Sequence, residues 1–183
     1  MSRLGSLDLS PALDRPDLLA PPVVAQLRSW PRANEVEVAE IDPNLADTAA
    51  FCERYDIGLD VSANCVVVAG RRGDVTRYAA AVVLANTRAD VNGVIRKRLD
   101  ARKASFASQD DAVALSGMEY GGITPIGLPA PWPVLVDAAV LERDVVVIGS
   151  GLRRSKLALP AAALAELPTA EVIDGLAVRS SSG

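Results

Sequence analysis

Residues 116–129 read SGMEYGGITPIGLP, a stretch with four glycines and two prolines in which Glu119 and Tyr120 are the only titratable side chains. Two readings of it stand on the sequence alone. In one it is a connector: Gly117 stops a helix, and Gly121, Gly122 and Gly127 permit backbone angles that other residues avoid. In the other the backbone itself is a site. Gly121 and Gly122 let a ligand approach closely, their N–H groups point at one of its oxygens, and Pro125 stiffens the loop beforehand. That is the logic of an oxyanion hole, where fixed dipoles stabilise developing negative charge.

The chain has 183 residues and no histidine. This removes a Ser-His-Asp triad, a Cys-His pair and histidine-based zinc sites together. Cys52 and Cys65 are too few for a cysteine-only zinc site, and both read as small buried hydrophobes. No metal and no cofactor is expected. The net charge of −4 argues against a generally basic nucleic-acid protein, so any such contact must come from a local patch. Arg96, Lys97, Arg98, Arg102 and Lys103 form one, read either as a solvated helix face or as a phosphate-binding surface. Trp30 and Trp132 read as core or rim packing, with Trp132 the better placed of the two to stack on a base. No apolar run approaches the roughly 20 residues of a membrane span, and the N-terminus carries acids and prolines. A soluble, cytoplasmic protein is expected.

These groups must be positioned by a core of Val, Leu, Ile and Ala, because half the residues are hydrophobic and few are aromatic. Residues 21–30 predict a helix with proline in its first turn, and 35–41 alternate as a half-buried strand. Residues 42–58 predict a helix capped by Asp42 and ended by Gly58. Residues 64–70 and 77–86 read as strands joined through the RRGD turn. Helices are expected over 88–100, 108–117 and 160–167, with Ser108 as a cap and Gly117 as a stop. Further strands are expected over 103–108, 133–137, 144–150 and 155–160. The sum is a single mixed α/β domain with a curved mixed sheet or open barrel of about seven strands surrounded by helices. It is expected over 21–178, between an irregular arm (1–20) and a short tail (179–183).

Three runs in order, GMEYGGITPIG (117–127), WPVLVD (132–137) and GSGLRR (149–154), resemble the signature of the YbaK/EbsC family. Those proteins are freestanding aminoacyl-tRNA deacylases related to the editing domain of bacterial prolyl-tRNA synthetase. The resemblance extends from about residue 20 to the C-terminal region. It implies hydrolysis of the ester of a mischarged tRNA, without metal, with a hydroxyl of the terminal ribose helping to orient water. Its glycine–proline loop falls on Gly121, Gly122, Ile123, Thr124 and Pro125, its aspartate on Asp137, and its glycine-flanked serine on Ser150, followed by Gly151. It implies a mischarged tRNA as partner, reached through the basic patch, and an aminoacyl-tRNA synthetase as a further one; no membrane partner follows from it.

The family opens its core strand with a lysine. Here the stretch is SANCVVV, and Asn64 holds that position. An amide hydrogen-bonds a ribose or a carbonyl but does not supply the point charge of an ammonium. No lysine near it in the sequence replaces it, and Arg71 and Arg72 stand at the far end of the strand. Two functions therefore follow: a deacylase in which Gly121, Gly122 and Asn64 act on the ester, or a non-catalytic module binding an aminoacyl end, an amino acid or a protein.

Overall fold

The apolar runs of the sequence become two main sheets that meet along one seam. The computed structural model describes residues 3–180. Its strands, among the described residues, are β1 (Arg3–Leu4), β2 (Leu7–Asp8), β3 (Ser10–Pro11), β4 (Glu37–Glu40), β5 (Ala63–Arg72), β6 (Val75–Leu84), β7 (Thr87–Ala89), β8 (Lys103–Phe106), β9 (Val134–Asp137), β10 (Val145–Gly149), β11 (Ser155–Pro160), β12 (Ala170–Ile173) and β13 (Ala177–Arg179). The α-helices are α1 (Pro21–Ser29), α2 (Thr48–Tyr55), α3 (Arg96–Arg98) and α4 (Gln109–Ser116).

The first sheet runs β12-β9-β6-β5-β8 and the second β10-β11-β4-β3. At the centre, β5 and β6 pair antiparallel from Ala63 opposite Leu84 to Arg72 opposite Val75, closing at Gly73, whose φ of +59° suits a residue without Cβ. β9 runs parallel to both β6 and β12, so the first sheet is mixed. The seam is a parallel bridge between Ser62 and Val147. The mixed α/β domain expected from the sequence is the fold that forms, with its strands shared between two sheets that do not close into a barrel.

Both faces of the first sheet are covered, which is why β6 reads as an unbroken apolar run rather than an alternating one. Val82 and Leu84 face the larger core with Val23, Leu27, Ile148 and Leu157. Ala79, Ala81 and Val83 face the opposite side, against Ile95, Leu99 and Leu176. Burying a side chain of the Val or Leu type contributes roughly 1.5–3 kcal/mol.

Local details differ from the sequence reading where backbone hydrogen bonding favoured another solution. The helix expected over 42–58 is broken. Asp42 does cap, accepting from the Asn44 N–H at 2.9 Å, but over a single 3₁₀ turn, Pro43–Leu45, after which α2 begins afresh at Thr48. α2 ends at Asp56 in the left-handed conformation (φ 56°), before Gly58. The helix expected over 88–100 gives way to β7, which pairs with β13, and a π-helical turn over Val91–Ile95 leading into α3. There the Asp90 carboxylate takes the N–H groups of Gly93 and Val94. Residues 161–166 coil as 3₁₀ rather than α. The segment read as an irregular arm pairs with the body through β3 and β4 and buries Leu7, Leu9, Leu18 and Leu19. Residues 1–2 of that arm and 181–183 of the expected tail lie outside the described residues.

Candidate active site

The cavity that matters lies where β5 loses its neighbour. β8 pairs with β5 only as far as Val68 opposite Phe106, with a last bond from the Ala107 N–H to the Val67 carbonyl at 2.9 Å. Residues 63–66 therefore keep an uncovered edge. A cavity of about 410 Å³ fills the space beside it, lined by Ala63 to Val67, by Asp47 and Thr48 at the start of α2, by Lys156 of β11 and Gly149 of β10, and by Phe106, Tyr120, Gly121 and Ile123.

The glycine-rich loop is held rigidly against a second glycine turn. The Gly122 carbonyl accepts from the Gly151 N–H at 2.7 Å, and the Gly151 carbonyl accepts from the Glu119 N–H at 2.9 Å. Nothing larger than hydrogen fits between them: a Cβ on Gly149 would stand 2.5 Å from the Gly122 oxygen, and one on Gly122 2.7 Å from the Leu152 carbonyl. Arg153 ties the outer side, its guanidinium donating to the carbonyls of Tyr120 (3.2 Å) and Pro43 (3.1 Å) while its N–H donates to Glu119 Oε1 (2.8 Å). At the other end Gln26 of α1 accepts the Gly127 N–H at 2.6 Å. The loop is thus both connector and preorganised backbone surface.

The donors it presents differ from those expected. The Gly122 N–H is already spent on the Glu119 carbonyl at 3.0 Å, and Gly122 does not line the cavity. Gly121 and Ile123 do line it, and neither N–H is hydrogen-bonded among the described residues. Gly121 has φ +87°, a conformation that costs a side-chain-bearing residue strain.

Asn64 is in the cavity wall. Its Oδ1 accepts from Thr48 Oγ1 at 2.7 Å, which fixes the amide and leaves both N–H donors without a partner among the described residues. Lys156 is the residue sequence reasoning missed. It lines the same cavity, its Nζ donating to the Ala46 carbonyl at 3.3 Å and standing 5.1 Å over the Phe51 ring. Burial lowers its pKa from the usual lysine value; Cys52 and Asp47 act the other way, and Arg153 adds to the depression. The absence of a lysine beside Asn64 in sequence is therefore not its absence in space. The available signal was a lone cation inside the apolar strand SKLALP, where Ser155, Leu157, Ala158 and Leu159 are all buried. Neither cysteine is poised as a nucleophile. Burial pushes the Cys65 thiol up to about 12, and it raises Cys52 despite a hydrogen bond with Ser62.

The remaining residues singled out by sequence stand outside the cavity lining. Thr124 is fully buried, with its hydroxyl unpartnered, and Pro125 is buried behind the loop. Asp137 is buried at the end of β9. Burial raises its pKa, while the nearby backbone N–H groups of Leu176, Ala177, Ala139 and Ala138 pull the other way. It fastens the chain before β13 to the sheet. Ser150 shares a 2.6 Å bond with Ser155 Oγ, and Ser155 in turn donates to the Leu18 carbonyl. Gly151 clamps the loop from behind. These residues build the cavity's support rather than its surface.

The basic patch is partly engaged. Arg98 pairs with Glu171, and Arg96 donates to the carbonyls of Asn92 (2.8 Å) and Ala101 (3.4 Å). Lys97, Arg102 and Lys103 are exposed, with no ion pair among the described residues. Trp132 is buried and stacks on Tyr78 with centroids 5.3 Å apart, and Trp30 is buried with its indole N–H on the Glu166 carbonyl. Among the described residues, no group of three or more His, Cys, Asp or Glu side chains could hold a metal, and no helix is long and apolar enough to cross a membrane.

Solved structures share this arrangement of chain. A candidate trans-editing enzyme for prolyl-tRNA synthetase superposes with a TM-score of 0.72 at 20% identity, covering 85% of this chain and 94% of its own. A hypothetical protein superposes with a TM-score of 0.74 at 18% identity, covering 86% and 99%. In a candidate signal-transduction protein from Marinobacter aquaeolei VT8 the match has a TM-score of 0.55 at 21% identity and takes up 32% of that longer chain. No curated protein matches in sequence. Residues 42–167, which hold Asn64, the glycine loop and Lys156, match the profile of the aminoacyl-tRNA editing domain, and the chain belongs to that family.

Proposed function

We propose that this cavity hydrolyses the ester bond of mischarged aminoacyl-tRNA in trans, without a metal. The observation that carries the reading is that Asn64, Gly121 and Lys156 line one cavity, with unspent donors on each of the first two. Water adds to the ester carbonyl carbon, the bond to the ribose oxygen breaks, and the proton from water ends on that ribose oxygen. The neighbouring ribose hydroxyl orients the water, a role for which this chain offers no histidine. The N–H groups of Gly121 and Ile123 receive the negative charge that develops on the carbonyl oxygen, and the Lys156 ammonium reinforces them. The Asn64 amide donates to the ribose or the ester oxygen. Asp47, exposed at the rim, suits the α-ammonium of the aminoacyl group.

The free cations Lys97, Arg102 and Lys103 would meet tRNA phosphates, and a synthetase is a natural further partner for a protein that corrects its product. Such work belongs in the cytoplasm, with translation. The test is deacylation of alanyl-, cysteinyl- and seryl-tRNA by wild type and Lys156→Ala. Turnover by wild type and its loss in the variant are expected. Absence of turnover on every mischarged tRNA offered, by folded protein, overturns the reading. Tight binding of aminoacyl-tRNA without turnover would select a binding module instead, the function suggested by Asn64 at the family's lysine position.

A further inference from the structure

The chain has two Trp, three Tyr and two Phe, and of these only Phe106 (59% exposed) and Tyr120 (53%) are exposed. Both line the cavity described above, Phe106 from the end of β8 and Tyr120 from the loop beside Gly121. Neither ring stacks on another among the described residues; the ring pairs that form are Phe51 with Tyr55 and Tyr78 with Trp132. The Tyr120 hydroxyl likewise makes no hydrogen bond there. Leaving large rings in water at one place, in a protein that buries or half-buries its other aromatics, marks a contact surface.

We infer that Phe106 and Tyr120 form a stacking platform for the terminal adenine base of tRNA. The inference rests on reading the cavity as an aminoacyl-tRNA site and adds a subsite to it. The aminoacyl ester is carried by the ribose of that terminal adenosine, so a base stacked at the rim holds the ester over Gly121 and Asn64. The direction of the strand agrees. β8 begins at Lys103, opposite Arg71, and ends at Phe106, about 10 Å further on at roughly 3.3 Å per residue. The unpaired Arg102 and Lys103 stand at the start of this strand, about 10 Å from Phe106 and within reach of the phosphates that precede a stacked terminal base, although Lys103, three residues from Phe106, projects to the opposite face of β8. Charge complementarity favours this occupant over an apolar peptide segment.

The test is equilibrium binding, which needs no turnover. Wild type, Phe106→Ala, Tyr120→Ala, the double variant and Phe106→Trp are titrated with the trinucleotide CCA, with its analogue lacking the terminal base, and with AMP, after circular dichroism shows each variant folded. Each alanine variant is expected to bind CCA about five- to a hundredfold more weakly, the usual cost of losing one base–aromatic stack. Phe106→Trp should keep affinity, and the base-free analogue should bind all the proteins equally weakly. Equal affinity of wild type for CCA and the base-free analogue, or unchanged affinity in the double variant, overturns the inference. So does tighter binding of AMP than of CCA, which would mark a mononucleotide site. Ring-dependent CCA binding without hydrolysis by wild type would defeat the proposed reaction and leave this subsite standing. Deacylation that survives in the double variant with unchanged KM would do the reverse.

Discussion

Lys156 on β11 and Asn64 on β5 line one cavity although their strands belong to different sheets and share no hydrogen bond. Where the resemblance implies a lysine at the start of the core strand, this chain has the amide of Asn64, and a lysine of the other sheet lines the same cavity.

That arrangement predicts a rescue. Lys156→Ala should lower kcat/KM for deacylation by about 10²- to 10³-fold, the usual cost of removing one group that meets the developing oxyanion. Asn64→Lys alone should give no gain, because it sets a second ammonium in a cavity that already holds one. Asn64→Lys in the Lys156→Ala background should recover activity. Single-turnover deacylation of the four proteins checks this, and full activity of Lys156→Ala excludes the role.

The pH dependence follows from the same lysine. Burial lowers its pKa, so the ammonium is lost, and the rate should fall, at a pH below the ordinary lysine value of 10.5. Stability moves oppositely. Between the lowered folded value and the unfolded one the unfolded chain holds more protons, so stability rises with pH across that window. Rate–pH and denaturation–pH profiles of wild type and Lys156→Gln, which lacks the titration, measure both.

Gly121→Ala should cost about 1–2 kcal/mol from the left-handed backbone alone. Its Cβ would also stand 2.3 Å from the Arg153 guanidinium, displacing the group that ties Tyr120 to Pro43. The expected result is a lowered denaturation midpoint together with lost deacylation. Gly73→Ala, strained in backbone but open in space, should lose stability alone.

Asp137 should prove to be a structural residue. Burial outweighs the backbone N–H groups around it and disfavours the charged carboxylate in the fold, so Asp137→Asn, which removes the charge, should hold or raise stability at neutral pH. Because its folded pKa is raised above 3.8, the folded state holds the proton more tightly. The stability this contributes is fully present below 3.8 and is lost as pH rises through the folded value. Wild type should therefore gain on the variant as pH falls toward 3.8, read from urea midpoints. Coinciding profiles would exclude the carboxylate's part.

Salt dependence separates the cations. A single strand loses affinity with a log–log slope of about −0.7 per phosphate neutralised. Removing Lys97, Arg102 and Lys103 together should flatten the slope for tRNA binding. Arg98→Ala should leave it nearly unchanged, because that guanidinium already holds Glu171.

Much of this was written locally. The Ser108 cap, whose Oγ accepts from the Asp111 N–H, the Gly117 stop and the RRGD turn depend on residues a few positions apart, and sequence placed them correctly. Gly121 and Asn64, both named from the resemblance, line one cavity. The helix read over 88–100 misled because Asp90 bonds its own turn and β7 finds β13, and that over 42–58 because the Asp42 cap closes a single 3₁₀ turn before α2 starts at Thr48.

What the sequence by itself determined was the mixed α/β class, the absence of histidine and the glycine-rich loop. Tertiary structure alone decided which N–H groups remain free, since the Gly122 donor is consumed by a turn bond that no composition reveals. It decided too that a lysine from β11 lines the cavity that Asn64 lines. A contact between strands of different sheets leaves no spacing in the sequence, because it is set by how the two cores pack and not by the distance along the chain.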